Sequence, residues 1–396
     1  MSEVIIAGIG QTPVEECWGT SLRELALRAI EAARSDSGGL QPQALFVGNM
    51  LAPEISHQAH LGALIADFAG LTGIEACTVE AAGASGGAAL RAGFIAIASG
   101  MVDVALVVGV EKFTDQVGAS VEAALATGGD SDYETVQGVT PTIQAALLMR
   151  RYLYEFELPR STLAGFPMVA HANGAGNPHA MFRKPISLEA YNNAEIVSEP
   201  LNLFDVAPRA DGAAALLLTR PELLPDGYPH RQVRIAGSSL VSGVLAVHDR
   251  PDPLVFDAAH LSVERACKKA RITPLQADFF ELYDAYSIYS ALSLEAAGYA
   301  ERGQGWRLAQ PGDPEKNGGS PAPISLKGSL PVCTMGGLKA RGNPGGATGV
   351  YQAVEAVLQL RGQAGQNQLH DPKRGLIQCL GGSGSTAATH LLEGKD

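Results

Sequence analysis

Three short segments carry hydrogen-bonding or reactive side chains, and two of them set these beside glycines, where a backbone can close tightly on a ligand. Tyr283-Asp284-Ala285-Tyr286 ends an apolar, strand-like run. Gly342-Asn343-Pro344 precedes a helix that opens on small residues, and Cys379-Leu380-Gly381 ends a second apolar run. The Tyr283 phenol has an ordinary pKa near 10 and needs tuning to act as a base at neutral pH. Asn343 donates a hydrogen bond through its amide but takes up no proton near neutral pH. Cys379, taken alone, reads as a core residue of an apolar strand. A fourth segment, VEAAGASGGAAL at 79–90, carries no reactive group: Gly83 stands at the head of a helix made of small residues.

The elements that must hold these residues alternate between strand and helix. VIIAGIG (4–10) reads as a strand, and the helix at 21–36 has Ser21 as its N-cap. A strand at 44–50, a helix at 60–71, a strand at 77–82 and the small-residue helix at 83–100 follow. The segment VDVALVVGVEKF (102–113) carries a continuous apolar run, as expected of a strand buried on both faces. The rhythm breaks at about 115–200, which reads as an inserted cap region, and returns with a strand at 210–219. The second half repeats the pattern: strand 233–243, helix 262–272, strand 278–286, helix 287–299, helix 345–362, and strands 375–382 and 385–394. A Gly/Pro-rich loop spans 303–329, and its composition fits either a cover for the site or an idle connection. This alternation predicts an α/β protein around a mostly parallel sheet, with halves 1–232 and 233–396 resembling copies of one unit.

Bulk properties narrow the function. The formal net charge of −12 argues against a nucleic-acid surface, so an anionic ligand depends on local cations or helix N-termini. No apolar run is long enough for a membrane span, and the N-terminus lacks the pattern of a secretory signal. Cys17, Cys77, Cys267, Cys333 and Cys379 are odd in number and form no CxxC pair, which suggests neither a disulfide framework nor a metal cage. The plain expectation is a reduced, cytoplasmic protein.

VEAAGASGGAAL, GGLKARGNPGGATG (336–349) and CLGGSG (379–384) together resemble the thiolase superfamily, from residue 4 to about 393 and most closely its sterol carrier protein-type and archaeal-type members. The resemblance implies a five-layered αβαβα fold of two duplicated halves with an inserted loop domain, a homodimer, and a substrate carried on coenzyme A, with no covalently bound cofactor. It places the family's nucleophilic cysteine at Gly83, which cannot form an acyl-enzyme. A cysteine there would sit at a helix N-terminus, where the macrodipole favours thiolate. It places Tyr283 where the family has a His or Asn that binds the thioester oxygen, and Asn343 where the family has its histidine base. Cys379 matches the cysteine that moves the proton at the α-carbon of the second acyl-CoA. Arg183 and Lys184 become candidates for the coenzyme A phosphates, while Cys333 reads as packing.

With nucleophile and base both absent, the resemblance points to retro-aldol cleavage of a β-hydroxyacyl-CoA without an acyl-cysteine. Thiolase-like aldolases of steroid side-chain degradation resemble this picture, except that they carry tyrosines at both histidine positions; Asn343 departs from them. Two alternatives stand beside it. One is a non-catalytic thiolase-like subunit that scaffolds an acyl-CoA complex with a small OB-fold and zinc-ribbon partner. The other is thiolase acyl transfer through Cys379 or Cys333.

Overall fold

The computed structural model describes residues 2–312 and 320–395. Its centre is a nine-stranded sheet in the order β3-β2-β4-β7-β1-β8-β11-β10-β9. The strands are β1 (Ile5–Gln11), β2 (Ala44–Gly48), β3 (Glu75–Val79), β4 (Val104–Glu111), β7 (Gly212–Thr219), β8 (Val233–Ser242), β9 (Phe279–Glu281), β10 (Arg374–Gly381) and β11 (Thr386–Gly394). β5 (Ile196–Ser198) and β6 (Leu201–Asn202) form a separate small hairpin. The helices are α1 (Leu22–Asp36), α2 (Ala52–Ile55), α3 (Leu61–Phe68), α4 (Ser85–Ser99), α5 (Ala119–Ala126), α6 (Pro141–Glu155), α7 (Gly165–Gly174), α8 (Leu188–Asn192), α9 (Asp257–Ala270), α10 (Ser287–Ala296) and α11 (Thr348–Arg361).

Two half-sheets meet at a short β1–β8 pairing, Ile5 with Arg234 and Ile6 with Val233. Each half has the same plan. A parallel pair (β2 with β4, β9 with β10) is followed by a strand antiparallel to it (β7, β11) and then by the first strand of the half (β1, β8). β3 lies parallel to β2, and the bridge between Phe280 and Val332 takes the same place beside β9. The sheet is therefore mixed, and the expectation of a mostly parallel sheet is corrected. Alternating strands and helices do not reveal that β7 and β11 run back against β4 and β10. In the second half, the short turn between Gly381 and Thr386 permits no crossover and forces the antiparallel pairing.

The strand expected at 278–286 also ends early, at Glu281. Beyond it the backbone leaves the ladder and bends at Ala285. Leu282 O accepts the Gln352 side chain (2.9 Å), and Ala285 O accepts Ala207 N (2.8 Å). That detour carries Tyr283 and Tyr286 out of the sheet and towards the middle of the molecule.

Helices fill three layers around the half-sheets. α1 and α3 cover the first half, α9 covers the second, and α4 and α11 lie between them. Ser21 caps α1 with a full capping box: its side chain accepts from Glu24 N, and the Glu24 carboxylate accepts from Ser21 N (2.7 Å). α4 and α11 cross backbone to backbone, since a Cβ on Gly86 would lie 2.9 Å from Gly346 O and 3.0 Å from Val350 N. The small residues of both helices permit this approach, and the crossing brings the two N-termini to one spot. The segment between β4 and β7 carries α5–α8 and the hairpin, and its α6 and α7 pack on α10. Among the described residues no helix is long and apolar enough to cross a membrane. Of the 303–329 loop, residues 313–319 lie outside the described residues. Residues 305–309 form a 3-10 turn against α7 and α10.

Candidate functional site

A cavity opens where the helix starts converge. Its wall includes Gly83 in the 3-10 turn leading into α4, Pro141 at the start of α6, Tyr286 at the N-cap of α10 and Gly345 in the turn leading into α11. Four helix N-termini thus present their positive dipole ends to one volume, which favours negative charge there. Among the described lining residues no carboxylate appears, and Arg209 is the one charged side chain. The cavity shares Met50, Ala82, Gly128, Gly129 and Gly382 with an outer groove that opens past Glu54, Glu80 and Leu245.

Gly83, Tyr283 and Asn343, far apart in sequence, come together on this wall. A Cβ built on Gly83 would overlap the Tyr283 hydroxyl and lie 2.6 Å from Leu380 O. The tyrosine therefore fills the volume that a side chain at position 83 would need. Among the described residues nothing hydrogen-bonds the Tyr283 hydroxyl, which faces the cavity. Burial, then the neighbouring Tyr286 and Tyr289, hold this phenol well above its ordinary pKa. It is a neutral proton donor, and the tuning a base requires runs in the opposite direction. Asp284, next along the chain, turns away from the cavity. Its carboxylate accepts from Leu338 N (2.7 Å) and so fixes which way Tyr283 points.

The Asn343 side-chain carbonyl accepts from Gly345 N (3.1 Å), tying it to the turn before α11. Because the partner is a donor, the oxygen must face it, and the amide NH2 is left to donate. Cys379 is close to these residues but does not line the cavity. Its thiol is wedged between the central helices: a Cβ on Gly349 would lie 2.8 Å from Sγ, and Sγ sits 3.7 Å from Ala84 O. Burial pushes the thiol up to about 12. Cys333 is likewise buried and raised. Alkylation of the folded protein is accordingly expected to label exposed Cys77 first, then half-buried Cys17, with Cys267, Cys333 and Cys379 reacting only after unfolding. Peptide mapping checks this, and rapid labelling of Cys379 would show that its thiol is open to ligands. Arg183 and Lys184 are solvent-exposed and do not line the cavity, nor does any described residue of 303–329.

The sequence reading missed Tyr286, Tyr289 and Arg209. Tyr286 and Tyr289 meet edge to face with ring centroids 5.0 Å apart. The Tyr286 hydroxyl pairs with Thr142 Oγ1 (3.1 Å), and that of Tyr289 donates to Ser383 Oγ (2.9 Å), which donates to Gln144 Oε1 (2.5 Å). The signal available was the spacing 283, 286, 289, which sets three phenols at one helix entrance.

Residues 4–222 match the family described as "Thiolase, N-terminal domain", and residues 241–394 match "Thiolase C-terminal domain-like". The chain belongs to the thiolase family. This thiolase-family chain is 40% identical over 394 residues to an acetyl-CoA acetyltransferase of Methanothermobacter thermautotrophicus, covering 99% of this chain and 100% of that protein. It is 29% identical to the benzoylsuccinyl-CoA thiolase subunit BbsB of Thauera aromatica, covering 97% and 96%. The solved "Ltp2-ChsH2(DUF35) aldolase" shares the fold with a TM-score of 0.82 at 24% identity, covering 99% of this chain and 98% of that one.

Behind the cavity the thiolase scaffold is braced by buried charge. Glu111, at the end of β4, accepts from Met50 N (2.9 Å), Leu51 N (3.1 Å), Gly346 N (3.0 Å) and the Asn49 amide (2.8 Å). Burial raises it to about 7 despite these donors. One carboxylate thus ties the loop after β2 to the turn before α11, both of which border the cavity. Arg341 and Glu355 face each other at 3.3 Å with neither side chain exposed, and Arg341 lies over the Tyr351 ring. These groups hold the walls and none of them lines the cavity.

Proposed function

We propose that this chain binds an acyl-CoA and cleaves a Cα–Cβ bond of a β-hydroxyacyl-CoA by retro-aldol chemistry, without an acyl-cysteine. The observation that carries the reading is the Tyr283 hydroxyl: without a hydrogen-bond partner among the described residues, facing the cavity and seated where a side chain at position 83 would stand. The β-hydroxyl proton passes to the Tyr283 oxygen as the C–C bond breaks, and its electrons move into the enolate of the departing acyl-CoA. The phenol proton passes to the α-carbon. The products are a ketone or aldehyde and a shortened acyl-CoA, and the tyrosine ends as it began. A relay of this kind suits a phenol held neutral, because it never becomes a free phenolate. The converging helix N-termini and the Asn343 amide favour the developing enolate oxygen.

The name of the acetyl-CoA acetyltransferase relative favours a second reading, acyl transfer, but Gly83 carries no thiol and the thiols of Cys333 and Cys379 are buried and raised. A scaffold role, with a small OB-fold/zinc-ribbon protein at the outer groove, is the third; the DUF35 component of the Ltp2-ChsH2 aldolase supports such a partner. A homodimer is proposed with it: β3 is an edge strand, and the strand and the adjoining Ile95 and Met101 are open to solvent.

The test incubates the purified chain with a set of β-hydroxyacyl-CoAs and follows carbonyl product and shortened acyl-CoA by chromatography, with and without free coenzyme A. Cleavage independent of added coenzyme A is expected. Cleavage that consumes coenzyme A, together with an acyl adduct on a cysteine, would replace this reading with the acyl-transfer one.

A further inference from the structure

The one charged side chain in the described cavity wall has no part in the chemistry above. Arg209 sits just before β7, on backbone zipped to the Asn343 turn: Ala210 N donates to Asn343 O (3.1 Å) and Asn343 N to Pro208 O (2.8 Å). This pairing holds the position of Arg209 beside that of Asn343. On its outer side one guanidinium nitrogen is paired with Glu122 of α5. The Glu122 side chain is 34% exposed, so solvent and a competing anion both reach that pair. On its inner side the guanidinium donates to the Tyr286 hydroxyl, which Thr142 also engages.

A guanidinium has five donors in a planar fork; Glu122 and the Tyr286 hydroxyl engage part of it and leave the others for a ligand. The rest of the wall is built of glycines, phenols, amides and apolar side chains such as Met50, Phe113 and Leu125, with no carboxylate among the described lining residues to neutralise a cation from within. An acyl chain ending in methyl would press hydrocarbon against those unspent donors and gain nothing from them. An acyl chain ending in carboxylate would meet a forked donor, and repulsion would come only from the outer, hydrated Glu122.

We infer that Arg209 selects the acyl group, and that the ligand is the coenzyme A thioester of a dicarboxylic acid whose free carboxylate the guanidinium binds. This rests on the acyl-CoA reading above and deepens it. Glu122 is then the resting counter-ion, which the substrate carboxylate displaces or shares.

The experiment is calorimetric titration with succinyl-CoA and butyryl-CoA, equal in chain length and differing in the terminal carboxylate. It is run on the wild-type chain, on Arg209→Gln and on Glu122→Gln, each first shown to be folded by circular dichroism. Wild type is expected to bind succinyl-CoA about tenfold or more tightly than butyryl-CoA. Arg209→Gln should remove that preference and leave butyryl-CoA affinity near its starting value. Glu122→Gln should enlarge the preference by freeing the guanidinium. Equal binding of the two thioesters by wild type, a preference that survives Arg209→Gln, or a parallel loss for both thioesters overturns the inference and leaves the acyl-CoA reading standing. Binding of neither thioester by the folded wild-type chain overturns both.

Discussion

Replacing Tyr283 with phenylalanine is expected to lower the rate of C–C cleavage by about 10²-fold or more while leaving stability and acyl-CoA affinity close to wild type. The split follows from how the side chain is held. Its ring is packed in the core, but among the described residues its hydroxyl bonds to nothing. Removing the oxygen therefore leaves no buried partner unsatisfied, which is the usual source of a large stability cost. What disappears is the atom that takes the substrate proton and returns it to carbon. Because burial and the two neighbouring tyrosines keep the phenol neutral, the wild-type rate should also show no rising limb at the ordinary tyrosine pKa. Turnover, binding and thermal unfolding measured on one preparation decide the matter. A Tyr283→Phe variant with full turnover removes the residue from the mechanism; loss of binding in step with rate makes it a packing residue.

The second large effect concerns Gly83. Gly83→Ala is expected to destabilise the fold by about 1–3 kcal/mol, the range for overpacking a close-packed interior, and to abolish activity with it. A methyl group there would overlap the Tyr283 hydroxyl and press on Leu380 O, 2.6 Å away. The ring can swing aside, but the carbonyl belongs to β10 at the heart of the second half-sheet and cannot. Gly83→Cys should therefore yield neither a stable acyl-enzyme nor wild-type stability. Combining a substitution at 83 with Tyr283→Ala should recover part of the loss, since one of the two obstructions is gone, and the non-additivity measures their contact. A Gly83→Cys protein as stable as wild type that accumulates an acyl adduct at position 83 would show that the tyrosine does not own this space.

The paired outcome matters for how the site is understood. Glycine at 83 and tyrosine at 283 are complementary in volume, so each is intelligible only through the other. A side chain added at 83 meets a clash and loss of the whole Tyr283 ring leaves a hole, whereas loss of the hydroxyl alone changes little volume.

Much of this was legible in the residues themselves. The Ser21 capping box, the small-residue helix at 85–99, the apolar run of β4 and the helix after Gly345 are local patterns, and local backbone physics realises them nearly as written. The motifs around Gly83, Tyr283 and Asn343 also pointed to one place through the family resemblance, and each lies shortly before a helix start. Other matters were decided through space. Strand direction turned on which partner lay alongside, so the mixed sheet was invisible to a reading of alternating elements. Cys379 occupies its motif position, yet the Gly87–Gly349 crossing closes over its thiol. Arg209, in a run with no motif, reaches the cavity because its backbone pairs with a residue more than a hundred positions away. Sequence spacing fixes periodicity and caps, which depend on neighbours along the chain. Which side chain shares a volume, and which charge faces a cavity, depends on contacts between distant segments that exist only once the two halves have closed on their central helices.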